Sequence, residues 1–167
     1  HRQTTHQIDL LNGWLKKLID TNNREEKKEL LRRIVVVGAY LKRRNNLILV
    51  NEQDGIIKTE ELKLSLNEMM KNLQLADISC ACAIGFDDDV PSNIAMQLFD
   101  FYEYVVENTF DGLTSLLARF FHRDGSYFAC IDVVCSLDLT NLKKENLTVS
   151  VSEENCYTLS FQVKEGD

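Results

Sequence analysis

The chain predicts an α+β fold: an N-terminal helical hairpin over residues 1–52, followed by a two-layer α/β sandwich over residues 53–167. Three observations carry this. Apolar residues near the start recur at 3, 4, 3 spacing, the seam of a helix. Beyond residue 112 they alternate instead, the period of half-buried strands. The charge also divides: residues 1–50 carry a balance of +6 and the remainder −13, an asymmetry expected of two structural units with opposite potentials.

The first helix is read from Ile8, Leu11, Leu15 and Leu18, and Asp20-Thr21-Asn22-Asn23 breaks it. A second begins near Arg24 and runs through Leu30, Ile34, Val37, Leu41 and Ile48 until Asp54-Gly55. The β-branched run Ile34 to Val37 would suit a strand, but Leu30-Leu31-Arg32-Arg33 and Leu41-Lys42-Arg43-Arg44 on either side favour helix. Two long helices with a short link form an antiparallel hairpin. Such a hairpin cannot bury its apolar seam alone, so a second copy is expected to complete a four-helix bundle.

After Gly55, Thr59 is placed to cap a helix presenting Leu62, Leu66, Met69 or Met70, and Leu73. Ile78 to Phe86 reads as a strand with Cys80 and Cys82 on one face. Asp87-Asp88-Asp89-Val90-Pro91-Ser92 is a turn opening a helix, with acids and Pro where free amides and the positive dipole end favour them. That helix continues through Ile94, Leu98, Phe101 and Val105 to about Asp111, and Gly112 ends it. Leu113 to Phe121 and Tyr127 to Cys135 flank His122-Arg123-Asp124-Gly125-Ser126, a hairpin signal. Leu147 to Val151 and Tyr157 to Val163 flank Ser152-Glu153-Glu154-Asn155, another. Two helices can then cover one face of a mixed sheet.

Several classes fall away. With 44% apolar residues, one Pro and seven Gly in 167 positions, the chain is neither disordered nor low-complexity. The longest apolar run, Ile34 to Leu41, is far short of the roughly 20 residues of a membrane span. His1-Arg2-Gln3-Thr4-Thr5 has neither an initiator Met nor an apolar secretory core, so a segment cut from a longer polypeptide is expected. The five Cys, 80, 82, 130, 135 and 156, lack any Cys-x-x-Cys pair and read as buried free thiols of a reducing cytoplasm. The three His show no ligand spacing relative to them, so no zinc site is expected. Asn146-Leu147-Thr148 matches a glycosylation acceptor, but the thiols speak against secretion. The basic half has no interleaved aromatics and no recognition motif, which argues against nucleic acid.

The segment Ile34-Val35-Val36-Val37-Gly38-Ala39-Tyr40-Leu41-Lys42-Arg43-Arg44-Asn45-Asn46-Leu47 resembles the IxVxGAYxKRRxNL stretch of a group of bacterial sensor histidine kinases with divergent ATPase domains. Phe101-Tyr102-Glu103-Tyr104-Val105-Val106-Glu107-Asn108, followed by two strands, is similar to the helix that carries the Asn motif in such ATPases. The resemblance implies that residues 1–52 are a dimerisation and histidine-phosphotransfer hairpin and 53–167 a histidine-kinase-like ATPase domain. It further implies a cytoplasmic role in two-component signalling, as a homodimer whose basic hairpin suits an acidic response-regulator receiver domain.

A phosphotransfer hairpin needs an exposed imidazole on its first helix. His1, with Arg2 and the later His6 and Ile8, follows the HDxxxQxL form of the motif, with Arg2 in place of the acid; His6 with Gln7 is the rival. Extending the Ile8 seam back by seven puts His1 on the buried stripe and His6 on the outer face. Both stand as candidates. The resemblance also implies ATP and Mg²⁺, yet working members use Asp-x-Gly-x-Gly and a later Gly-x-Gly, and here no two Gly lie closer than Gly112 and Gly125. The short stretch from Ser136 to Asn146 leaves little room for a nucleotide lid. Glu103, Glu107 and Asn108 are the remnant of the Asn motif: Glu107 takes the place of its Asn if counted from Glu103, and Asn108 matches by residue type. Asp100, Glu103, Glu107 and Asp111 form one carboxylate stripe, read as a solvated outer face with Mg²⁺ binding as the alternative. The resemblance thus implies the cytoplasmic part of a sensor histidine kinase with a degenerate ATP-binding domain, or else a kinase-inactive dimeric phosphotransfer or protein-interaction module like the sporulation-type phosphotransferases.

Overall fold

A computed structural model describes residues 2–51 and 55–166. Helix α1 (Arg2–Asp20) and helix α2 (Arg24–Asn51) form the hairpin. Asn23 caps α2: its Oδ1 accepts the Glu25 and Glu26 amides at 3.0 and 3.1 Å, and those two acids face the positive end of the helix. Strand β1 (Ile56–Ile57) leads into helix α3 (Thr59–Leu75) and strand β2 (Ser79–Ile84). Then come β3 (Val90–Pro91), helix α4 (Ser92–Thr109), and strands β4 (Leu113–Arg123), β5 (Ser126–Cys135), β6 (Leu147–Glu153) and β7 (Cys156–Lys164).

The five-stranded sheet runs β2-β4-β5-β7-β6, with β2 parallel to β4 and the other neighbours antiparallel. Helix α3 packs on β2, and α4 on β5 and β7. The β4–β5 turn is the two residues Asp124 and Gly125, both at positive φ (51° and 72°), as a tight hairpin that follows the sheet's twist requires. Leu62, Leu66 and Leu73 of α3 and Ile94, Leu98, Phe101 and Val105 of α4 are buried against Leu116, Phe120, Ile131 and Leu159 of the sheet. Phe101 stacks on Phe161 at 4.7 Å between ring centres. This is the expected two-layer sandwich.

Four details differ from the sequence reading. Thr59 is the first helical residue of α3 rather than its cap; Lys58 holds the cap position, and the Thr59 hydroxyl donates to the Asp88 carbonyl. That bond ties the Asp87–Asp89 turn to α3. The same turn feeds β3, which pairs antiparallel with β1; two-residue strands are too short to leave a periodic signature. Helix α4 stops at Thr109, and the Gly112 amide donates back to the Thr109 carbonyl at 2.9 Å.

The fourth detail is the hairpin's orientation. It lies across the outside of α3 and α4 as a third layer, with Val36, Tyr40 and Leu47 of α2 in the same core as the sandwich. On α1 the inward side is Gln7, buried, with Leu10, Leu11, Trp14 and Leu18 half-buried. Ile8, Leu15 and Ile19 of α1 and Leu31 and Val35 of α2 are exposed.

Candidate functional site

Helix α4 has two neighbours, so both of its faces are used. Residues three or four apart share a face. Ile94, Leu98, Phe101 and Val105 turn to the sheet, which leaves Asp100, Glu103, Glu107 and Asp111 toward the hairpin. Over Asp100, Glu103 and Glu107 the carboxylate stripe is therefore not a solvated face, as the sequence suggested, but the surface on which the basic hairpin docks; Asp111 at its end stays exposed.

Three of the four carboxylates have partners from α1 or α2. Asp100 accepts Arg44 Nε at 2.9 Å and Arg44 Nη2 at 3.1 Å, a two-point fork, and the Tyr40 hydroxyl at 2.8 Å. Burial, and then the Asp100 charge, push the Tyr40 hydroxyl well above its ordinary range, so it stays a neutral donor. Asp111 pairs with Arg33, whose guanidinium also meets Glu29 at 3.3 Å and lies 5.5 Å over the Phe110 ring. Glu107 accepts Gln7 Nε2 at 3.0 Å and faces His6 Nε2 at 3.5 Å. Two arginines of the same run hold α3: Arg43 pairs with Glu68, and Arg32 donates to the Ala76 carbonyl at the C-terminal cap of that helix.

Glu103 is the exception. It is 1% exposed, and neither oxygen receives a donor from α1 or α2; its polar neighbour is the Glu107 carboxyl. Burial, then the Glu107 charge and a hydrogen bond shared with the Glu107 carboxyl, then the Asp100 charge, push its pKa well above the usual carboxylate range. It borders a cavity of about 340 Å³ enclosed by α1, α2 and α4, whose lining includes His6, Trp14, Arg33, Val37, Glu107 and Asn108.

The sequence-derived candidates fall as follows. His6 lies on α1 with its side chain 66% exposed, beside Glu107. Glu103, Glu107 and Asn108 come together with it around the cavity. The Asn108 amide donates to the Tyr104 carbonyl of its own helix at 2.7 Å. His1 lies outside the described residues. Sequence reasoning had Gln7 beside His6 and Asp100 in the carboxylate stripe, but missed Tyr40 and Arg44 as parts of the site and the contacts that join them to Asp100. The available signal was the opposite charge of the two halves, with Tyr40 and Arg44 one helical turn apart on α2. All five Cys are free, and burial pushes the Cys82 thiol up to about 12, out of the reactive range. Among the described residues no group of three His, Cys, Asp or Glu side chains is placed to hold a metal ion, and no helix is long and apolar enough to cross a membrane.

No family model matches the chain, and no curated protein matches it. Solved structures do. A bacterial phosphotransferase is similar at 13% identity with a TM-score of 0.52, over 95% of this chain and 89% of its own. The blue-light activated histidine kinase EL346 of Erythrobacter litoralis is similar at 12% identity with a TM-score of 0.51, over 98% of this chain and 63% of its own. The histidine kinase AdeS of Acinetobacter baumannii is similar at 12% identity with a TM-score of 0.47, over 100% and 98%. Helical hairpin, covering helices and mixed five-stranded sheet together are a histidine-kinase-like fold.

Proposed function

We propose that this chain is a phosphotransfer module of two-component signalling, acting as a homodimer in the cytoplasm and exchanging a phosphoryl group with a response-regulator receiver domain. The observation that carries this reading is His6: an exposed imidazole on the first hairpin helix, next to a carboxylate. Glu107 is placed to hold the proton of one ring nitrogen, which leaves the lone pair on the other. That lone pair attacks phosphorus of an aspartyl phosphate, the bond from phosphorus to the aspartyl oxygen breaks, and the proton passes to Glu107. Exposed Lys16, Lys17, Lys27 and Lys28 near the hairpin turn supply a field that attracts an acidic receiver.

Dimerisation is supported by the exposed seam of Ile8, Leu15, Ile19, Leu31 and Val35. Free thiols, raised by burial where they are most enclosed, fit a reducing compartment.

The kinase reading places Mg-ATP beside Glu103, Glu107 and Asn108, and these residues do not fit it. Two carboxyl groups meet a triphosphate with like charge, the Asn108 amide is engaged by its own helix, and the hairpin lies over that face. Nor is there any pair of closely spaced glycines to let backbone approach phosphate. Titration with Mg-ATP should give no binding at millimolar concentration; saturable binding restores the kinase reading.

The phosphotransfer test uses a phosphorylated receiver domain as donor. Acceptance by the parent chain and its loss, by at least about a hundredfold, in His6→Gln is the expected result, equivalent to some 3 kcal/mol of lost transition-state stabilisation. Loss in His1→Gln alone moves the acceptor to His1. Full acceptance in both single variants and in the double variant overturns the reading.

A further inference from the structure

We propose that the cavity between α1, α2 and α4 is a binding site for an organic cation, an amidinium or primary ammonium on a flat apolar body, whose N–H groups are received by Glu103. This does not rest on the phosphotransfer reading.

Four features point to this class of ligand. Glu103 borders the cavity at 1% exposure, and apart from the adjoining Glu107 carboxyl neither of its oxygens meets a donor. Buried polar groups in folded proteins are almost always fully partnered, so two adjoining carboxyls short of donors at a cavity wall mark a place for N–H groups from outside. The acceptors of the lining are carboxyls: Glu103 and Glu107 face the cavity, His6 Nε2 stands 3.5 Å from Glu107, and the Arg33 guanidinium that also borders it is already paired with Asp111 and Glu29. Apart from His6 and Asn108, the remaining walls are Leu10, Trp14, Val36, Val37, Val106 and Phe110, apolar or aromatic surfaces that suit a flat body and attract a cation to a ring face. At about 340 Å³ the space lies at the lower end of the range that holds small organic ligands. A bare metal ion fits less well, because among the described residues no group of three His, Cys, Asp or Glu side chains is placed to hold one.

Without ligand, burial raises the Glu103 pKa and so disfavours its charged form. A bound amidinium supplies the opposite charge, which favours the ionised carboxylate and a two-point pair with the ligand.

The chain's only Trp, Trp14, lines the cavity and reports occupancy directly. Benzamidine is the probe, and benzamide, which has the same shape without the charge, is its control. Saturable change in Trp14 fluorescence with benzamidine is expected, with benzamide weaker by at least about tenfold. Glu103→Gln should weaken benzamidine by a similar factor. Leu10→Phe, which fills the cavity from the α1 side, should weaken both compounds. Equal response to benzamidine and benzamide, no saturation with benzamidine, or unchanged affinity in Leu10→Phe would each overturn the proposal. Should Glu103→Gln fail to fold, the two compounds on the parent chain and the Leu10→Phe variant still decide it.

Discussion

At Glu103 a carboxyl group is sealed from water with no donor in reach from α1 or α2, and this has a consequence for stability. A glutamate in the unfolded chain titrates near ~4.3, whereas burial holds the Glu103 proton to higher pH in the folded chain. Between those two pKa values the native state binds more protons than the unfolded state, so stability falls as pH rises through that window. The urea midpoint of the parent should therefore drop relative to Glu103→Gln between about pH 4.5 and pH 7, and Glu103→Gln should be the more stable protein at neutral pH. Parallel pH curves for the two proteins would mean that Glu103 is ionised and partnered. Gly112 is a second sensitive position for a steric reason. A Cβ there would lie 2.5 Å from Ser136 Oγ and 3.0 Å from the Leu137 amide nitrogen, so Gly112→Ala should cost about 1–3 kcal/mol in urea unfolding. A cost near zero would place the 136–137 turn further away.

Among the elements, α2 joins the hairpin to the sandwich. Its Arg44 fork and Tyr40 hydroxyl both end on Asp100, with the Arg44 and Asp100 side chains only 12% and 18% exposed. Removing one partner leaves the other charge enclosed, so Arg44→Ala should destabilise by about 2 kcal/mol and raise amide exchange along α2 and α4 before the sheet is affected. Exchange rising first in the sheet would contradict this. The elements themselves were legible where a period runs long enough to be read. Leu62, Leu66 and Leu73 repeat at helical spacing, and Tyr127 to Cys135 alternates; both segments fold as their patterns indicate. Helix β-branching from Ile34 to Val37 was outweighed by the helix-favouring residues around it. What could not be read were contacts between distant segments. The stripe of Asp100, Glu103, Glu107 and Asp111 looks solvent-facing to any rule based on polarity, because a polar face opposite an apolar one gives the same pattern whether water or a basic helix covers it. The β1–β3 pair escaped because two residues carry no period.

For the whole molecule, the hairpin faces in two directions. One side of it is held by the sandwich; the other carries Ile8, Leu15, Ile19, Leu31 and Val35 in the open, Ile19 at 82% exposure. In the proposed homodimer two such faces pair as a four-helix bundle, with left-handed crossing at ~20°. The parent chain should sediment as a dimer, and Ile19→Glu with Val35→Glu should yield a folded monomer, since neither side chain supports the sandwich core. A parent monomer at high micromolar concentration would remove the bundle from the account. The two hairpin helices were legible in the first fifty residues, but the seam read there as Ile8, Leu11, Leu15 and Leu18 divides: Leu11 and Leu18 turn inward, while Ile8 and Leu15 stay exposed. The candidate site was only half visible: His6 and the α4 acids stood out by residue type, whereas their meeting through Gln7 and Glu107 depends on how three layers stack.

The small β1–β3 pair sets a limit on motion. Ile57 is fully enclosed and paired with Val90, and only four positions separate Ile56 from the end of α2 at Asn51. At no more than about 3.5 Å per residue, the covalent span keeps β1 within ~20 Å of the helix end while the staple holds. Any displacement beyond that radius requires either unwinding the last turn of α2 or peeling β1 away, so chain length alone works as a mechanical stop.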